Sequence, residues 1–171
     1  MPVITSGRIE LERAEHYIDE GKFDFLALGR KLLADPQLPN KLQAGRLEDV
    51  LPCIYCYTCV SQMYLSAAVR CAANAETMFE RELTVKPART RKRLVVIGGG
   101  PGGMESARRL AQKGHEVILL EQADRLGGTL QFASIAYPPN ELLLEWLKRQ
   151  VGQSRRRAPM SFNDPLDSVH A

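Results

Sequence analysis

The run Gly98-Gly99-Gly100-Pro101-Gly102-Gly103 leaves this chain the least freedom. An apolar stretch, Arg93 to Ile97, leads into it, and helix-forming residues Met104 to Lys113 follow, with Gly114 as terminator. His115 to Leu120 reads as a second strand and Glu121 closes it. Strand, G-x-G-x-x-G, helix, strand and acid, in that order, is the fingerprint of a βαβ dinucleotide-binding unit. Gly98 makes the tight turn, Gly100 lets backbone approach a pyrophosphate, and Gly103 lets helix and strand pack closely. The helix N-terminus then faces the anion. Glu121 lies 18 residues after Gly103, near the spacing that puts an acid on a ribose hydroxyl. The pattern predicts a dinucleotide or another ADP-containing ligand. The bland alternative makes Glu121 a solvated charge at a strand end. A second glycine pair, in Arg125-Leu126-Gly127-Gly128, tilts the expectation from NAD towards FAD.

The second constraint is the distribution of sulfur. The chain has 4 cysteines, in the arrangement Cys53-x2-Cys56-x2-Cys59-x11-Cys71. Three thiolates on one tight loop, with a fourth from the following segment, is a common way to hold a [4Fe–4S] cluster. Structural zinc usually takes two separated pairs, and is the rival reading. Disulfides fit less well, because neighbouring C-x2-C thiols rarely staple a fold and no secretory pattern opens the chain. Tyr55, Tyr57 and Tyr64 surround the segment and are expected to shield the site from water, or merely to pack there.

Composition bounds the rest. The chain has 171 residues, 44% hydrophobic and 25% charged, with a net charge of +3. That charge is too small to argue for nucleic acid, and no apolar run is long enough to span a bilayer. A thiolate-held centre without an export signal points to a reducing cytoplasm.

At the N-terminal end, Pro2 to Thr5 and Phe23 to Leu28 read as strands. Between them lies an amphipathic helix, Ile9 to Glu20, with Leu11, Ala14, Ile18 and Tyr17 along one face. The βαβ spacing predicts parallel strands. Both strands end in Gly-Arg: Gly7-Arg8 and Gly29-Arg30. Such loops bind phosphate after the last strands of (β/α)8 barrels, but taken alone they are more simply turn residues. Lys31 to Leu33 opens a helix, with Asp35-Pro36 and Pro39 as breakers. Lys41 to Pro52 reads as a polar connector, Val60 to Arg70 as a helical turn or short helix, and Thr84 to Lys92 as a linker. His115 reads as structural, and Leu142 to Val151 as a helix bearing Trp146. Residues 152–171 lack periodicity and read as a disordered tail.

Taken together, these motifs resemble the NADH:flavin oxidoreductases related to 2,4-dienoyl-CoA reductase and trimethylamine dehydrogenase. The resemblance runs over about residues 1–151. It rests on the two Gly-Arg strand ends, Gly-Arg-x-Leu-Leu-Ala-Asp-Pro, the cysteine spacing, GGGPGG with Glu121, and Leu-Gly-Gly. It implies an α/β chain in parts. Residues 1–50 would be the last two strands of an FMN-type (β/α)8 barrel, and 51–85 a [4Fe–4S] segment. Residues 92–151 would be the start of a Rossmann-like FAD- or ADP-binding domain, and 152–171 the tail. Gly7, Gly29 and Arg30 would hold the FMN phosphate, and Cys53, Cys56, Cys59 and Cys71 the cluster. Gly98, Gly100, Gly102, Gly103 and Glu121 would hold the ADP part of FAD, with Gly128 and Thr129 nearby. Many relatives have Gln where Thr129 stands.

The match begins at what would be the seventh barrel strand and ends about one helix after Leu-Gly-Gly. Six strands, the substrate-contacting residues and the NAD(P)H domain would therefore lie elsewhere. The expectation is an electron-transfer segment of an NAD(P)H-dependent flavin and iron–sulfur oxidoreductase. The whole enzyme would act on a small molecule, by reducing an activated C=C or dehydrogenating an amine. No catalytic residue is expected within the chain, which alone would be inactive. It would be a truncated gene product or one piece of a split enzyme, with another chain supplying the rest of the barrel. A non-catalytic remnant that binds FAD or ADP and a cluster, and a zinc-stabilised interaction module, are the alternatives. Neither nucleic acid nor membrane is expected as a partner.

Overall fold

The computed structural model describes residues 1–157 and 160–163, with side chains through residue 154. The N-terminal unit is the expected βαβ. Strand β1 (Ile4–Ser6) and strand β2 (Phe25–Ala27) are parallel, in the register Ile4↔Phe25 and Ser6↔Ala27. Helix α1 (Leu11–Asp19) connects them and buries Ala14. Tyr17 meets the buried Phe23 edge-on, 6.3 Å between ring centroids. Ile4 and Phe25 remain exposed, and this sheet has only these two strands among the described residues.

Helix α2 (Arg30–Ala34) stops at Asp35, whose φ of −140° and ψ of 95° are extended. The following Pro36 disfavours the helical region for its predecessor. Helix α3 (Leu38–Gln43) then starts with Pro39 in its first turn. Pro39 therefore opens a helix where a breaker was expected, because a first-turn residue needs no backbone donor.

Asp35 is buried and acts as the hub of this region. It accepts hydrogen bonds from the Gln37 N–H at 3.0 Å, the Leu51 N–H at 2.8 Å and Lys41 Nζ at 2.6 Å. The connector over residues 41–52 is likewise less polar than expected. It contains a 3₁₀ turn (Leu47–Asp49) and delivers Leu51 into the core.

Helix α4 (Thr58–Tyr64) and helix α5 (Glu80–Leu83) lead to strand β3 (Arg93–Ile97). Helix α6 (Pro101–Gln112), strand β4 (Glu116–Leu120), helix α7 (Thr129–Ala136), helix α8 (Pro139–Arg157) and strand β5 (Met160–Asn163) follow. The sheet runs β3-β4-β5, all parallel. Helices α6 and α8 pack together over β4. Met104, Ala107, Val117, Leu119, Trp146 and Val151 form the centre of the core, and Leu51 and Ile54 join it. The Arg108 guanidinium lies over Trp146.

Two sequence expectations are corrected here. Residues 152–171 are not wholly a tail: α8 continues through Arg157, and 160–163 form β5 beside β4. Ser154 is still buried, and its hydroxyl donates to the Gln150 carbonyl. The helix persists because residues beyond Gly152 still face α6, a tertiary contact that the local pattern does not encode. β5 has only 4 residues, too few for alternation to stand out. It gives the sheet a third strand where two were read. Residues 158–159 and 164–171 of the expected tail lie outside the described residues. Among the described residues, no helix is long and apolar enough to cross a membrane.

Candidate functional sites

The cysteine loop is built on strained backbone. Tyr55 and Tyr57, on either side of Cys56, have φ of 52° and 61°. Side chains rarely adopt this left-handed region, at a cost of roughly 1 kcal/mol each. Alternating handedness turns successive N–H groups towards one side, making a concavity that suits anions and iron–sulfur centres. Cys59 follows in the first turn of α4.

All four cysteines are free and line one cavity, together with Arg30, Leu33, Ile54, Tyr55, Tyr57 and Ala72. No three described His, Cys, Asp or Glu side chains converge tightly enough to ligate a single ion. Zinc needs its thiolates about 2.3 Å from one point. An all-thiolate donor set is one that iron–sulfur clusters take, as do structural zinc sites. Burial pushes the Cys53 thiol up, as do neighbouring Cys71 and Cys59, while the Tyr55 N–H and Arg30 pull it down. Tyr64 is exposed and absent from this lining, to which Tyr55 and Tyr57 belong.

The two Gly-Arg strand ends converge on the same place. Gly7 and Gly29 follow strands whose last pairs are in register, and Gly7 has a φ of 139°. Arg8 lies 5.0 and 5.2 Å from the Tyr55 and Tyr57 ring centroids, and Arg30 lies 5.3 and 4.9 Å from them. Arg8 also donates to the Tyr57 hydroxyl, and this bond, backed by Arg30, holds the phenol below its usual range. Tyr55 donates to Glu10 at 2.8 Å, and Lys31 pairs with Glu10 at 2.5 Å. Burial raises the Glu10 carboxyl, but these hydrogen bonds outweigh it and leave it lowered. Arg8, Glu10 and Lys31 were missed as site residues. The repeated Gly-Arg was the only signal in the sequence for the first of them.

At the glycine loop, Gly98 has a φ of 96° and its N–H donates to the Leu120 carbonyl at 2.7 Å. A Cβ on Gly103 would stand 1.8 Å from the Gly98 carbonyl oxygen. Gly100, the N-cap of α6, has nothing within 4 Å of its Cβ position. Gly102 lies in the first turn of α6, where N–H groups have no helical acceptor. Gly128 caps α7, and its own Cβ would reach Gly100 Cα at 3.2 Å. Thr129 is the first residue of α7. The N-termini of α6 and α7 therefore meet at Gly100, and two helix dipoles favour an anion there.

Glu121 accepts from the Ala123 N–H at 2.8 Å and the Gly99 N–H at 2.5 Å. These bonds hold its carboxyl below the usual carboxylate range. A lowered acid contributes stability that is present above its unfolded pKa and lost as pH falls through the folded one. The melting-temperature gap between wild type and Glu121→Gln is thus expected to be level from neutrality to about pH 5 and to close below that. A gap unchanged at pH 3 would show that the carboxylate charge does not matter.

Strand, glycine turn, helix, strand and acid thus lie in the same core as a pocket lined by four cysteines. The family model described as an NAD(P)-binding Rossmann-like domain matches residues 96–146. NADH oxidase from Thermoanaerobacter brockii is 40% identical over 162 residues, 92% of this chain and 25% of that protein. Histamine dehydrogenase from Rhizobium sp. 4-9 superposes with a TM-score of 0.87 at 26% identity, over 95% of this chain and 26% of that one. A 2-naphthoyl-CoA reductase complexed with 2-naphthoyl-CoA does so at 0.88 and 28%, over 96% and 26%. The chain resembles the iron–sulfur flavoenzymes related to 2,4-dienoyl-CoA reductase and trimethylamine dehydrogenase. It spans about a quarter of the length of the relatives it matches.

Proposed function

We propose that this chain is the electron-transfer segment of an NAD(P)H-dependent flavin and iron–sulfur oxidoreductase. The observation that carries the reading is one hydrophobic core shared by two sites. Ile54 of the cysteine loop packs in the same cluster as Met104 and Ala107 of the helix behind the glycine loop. A thiolate-held cluster exchanges single electrons and a flavin exchanges one or two, so the two sites would together convert hydride equivalents into single-electron steps.

The residues of the chain have holding and positioning roles. Cys53, Cys56, Cys59 and Cys71 hold the cluster, in a pocket flanked by Tyr55 and Tyr57. Gly98, Gly100, Gly102 and Gly103 present backbone to the pyrophosphate of FAD, Glu121 orients the ribose, and Gly128 and Thr129 approach from the second helix. Gly7, Gly29 and Arg30 grip the FMN phosphate at the end of a barrel whose other strands belong to further polypeptide. Support for that last point is the exposed Ile4 and Phe25 on a sheet of two strands, since such open edges ask for neighbours. The whole enzyme acts on an activated double bond or an amine.

Photoreduction of protein loaded anaerobically with iron, sulfide and FAD tests the coupling. The flavin and cluster absorption bands should bleach in one linked process. A cluster that stays oxidised while the flavin is fully reduced, even after hours, would overturn the proposal.

A further inference from the structure

We propose that the Arg30 guanidinium sets the reduction potential of the centre held by Cys53, Cys56, Cys59 and Cys71, and that Tyr55 and Tyr57 hold it in place. The inference rests on the cluster reading of the cysteines. Among the described residues, Arg30 is the only cationic one lining the cysteine cavity. Its Nη1 is buried and has no hydrogen-bond partner, although buried polar atoms are nearly always paired. The two tyrosine rings lie 5.3 and 4.9 Å from its Cζ, and a planar guanidinium stacks well on such faces.

A cluster held by four thiolates is anionic, and one-electron reduction adds a further negative charge without making or breaking a bond. A fixed positive charge, with a donor free to reach a sulfur, stabilises the reduced form more than the oxidised one. Net charge and hydrogen bonds to sulfur are the terms that set such potentials. A guanidinium is a permanent cation in proteins, so such a bias does not switch off. Arg8 stacks on the same rings but lies outside the cavity lining, and is the natural control. A grip on a flavin phosphate uses other donors of the five that a guanidinium carries, so both roles are open to one side chain.

The test is spectroelectrochemical titration of the iron- and sulfide-loaded chain as wild type, Arg30→Gln, Arg30→Lys and Arg8→Gln. Arg30→Gln should make reduction about tenfold less favourable, a fall of about 59 mV for one electron. Arg30→Lys should fall between the two, and Arg8→Gln should move far less. An Arg30→Gln potential equal to wild type overturns the proposal and leaves the phosphate grip. If Arg30→Gln loads no cluster while Arg30→Lys does, the requirement for charge is upheld. If neither loads, Arg30 is a structural post and the proposal fails. Wild type that takes up no iron would instead overturn the cluster reading beneath it.

Discussion

Chain prepared anaerobically under iron-replete conditions is expected to be brown, with about four irons and four acid-labile sulfides per molecule. Cys56→Ala should lose the broad visible absorption altogether. Cys56 lies between two residues held at positive φ, 52° and 61°. Such strain persists only where the surroundings over-determine it, and here it faces a pocket lined by all four thiols. Removing the central thiolate leaves the strained loop with nothing to grip. Tightly bound zinc with no sulfide, in protein made with iron plentiful, would sink this expectation.

The second large effect separates two glycines of one motif. Gly103→Ala places a methyl 1.8 Å from the Gly98 carbonyl oxygen, which is backbone and cannot swing aside. The turn must open, at a cost of about 3 kcal/mol in stability, and ligand binding should be lost with it. The Cβ of Gly100→Val meets nothing within 4 Å, and the φ of −69° suits any residue. The fold should survive, while the branched side chain projects into the space where two helix N-termini converge. FAD or ADP should bind about 100-fold more weakly, equivalent to about 3 kcal/mol. Calorimetry on both variants distinguishes the cases. If Gly100→Val binds ADP as tightly as wild type, the pyrophosphate lies elsewhere.

The glycine turn was legible because each of its glycines answers a local demand: a positive φ at Gly98 and a close approach at Gly103. The βαβ unit at the N-terminus was legible for a similar reason, since apolar alternation and a helical face repeat within a few residues. What escaped depends on partners distant in sequence. Pro39 looked like a breaker because its role depends on where α3 begins. Leu51 sat in a polar stretch, and only the core behind it reveals its burial. The end of α8 and the whole of β5 are stabilised by α6 and β4, not by their own pattern. Arg8 was visible as half of a repeated dipeptide, but that both arginines stack on the same two tyrosines follows only from the register of β1 with β2.

Asp49 has a consequence for how the two sites communicate. Its carbonyl accepts from Trp146 Nε1 at 3.1 Å, and its carboxylate from Gln153 Nε2 at 3.0 Å. The adjacent Glu48 carbonyl accepts from Arg149 at 2.5 Å. Helix α8 is thereby bolted to the segment that feeds Cys53. With the shared core, these cross-braces hold the thiol pocket and the glycine turn in one packed unit. On the proposed function, electron passage between the sites would then run over a distance fixed by packing, indifferent to solvent viscosity.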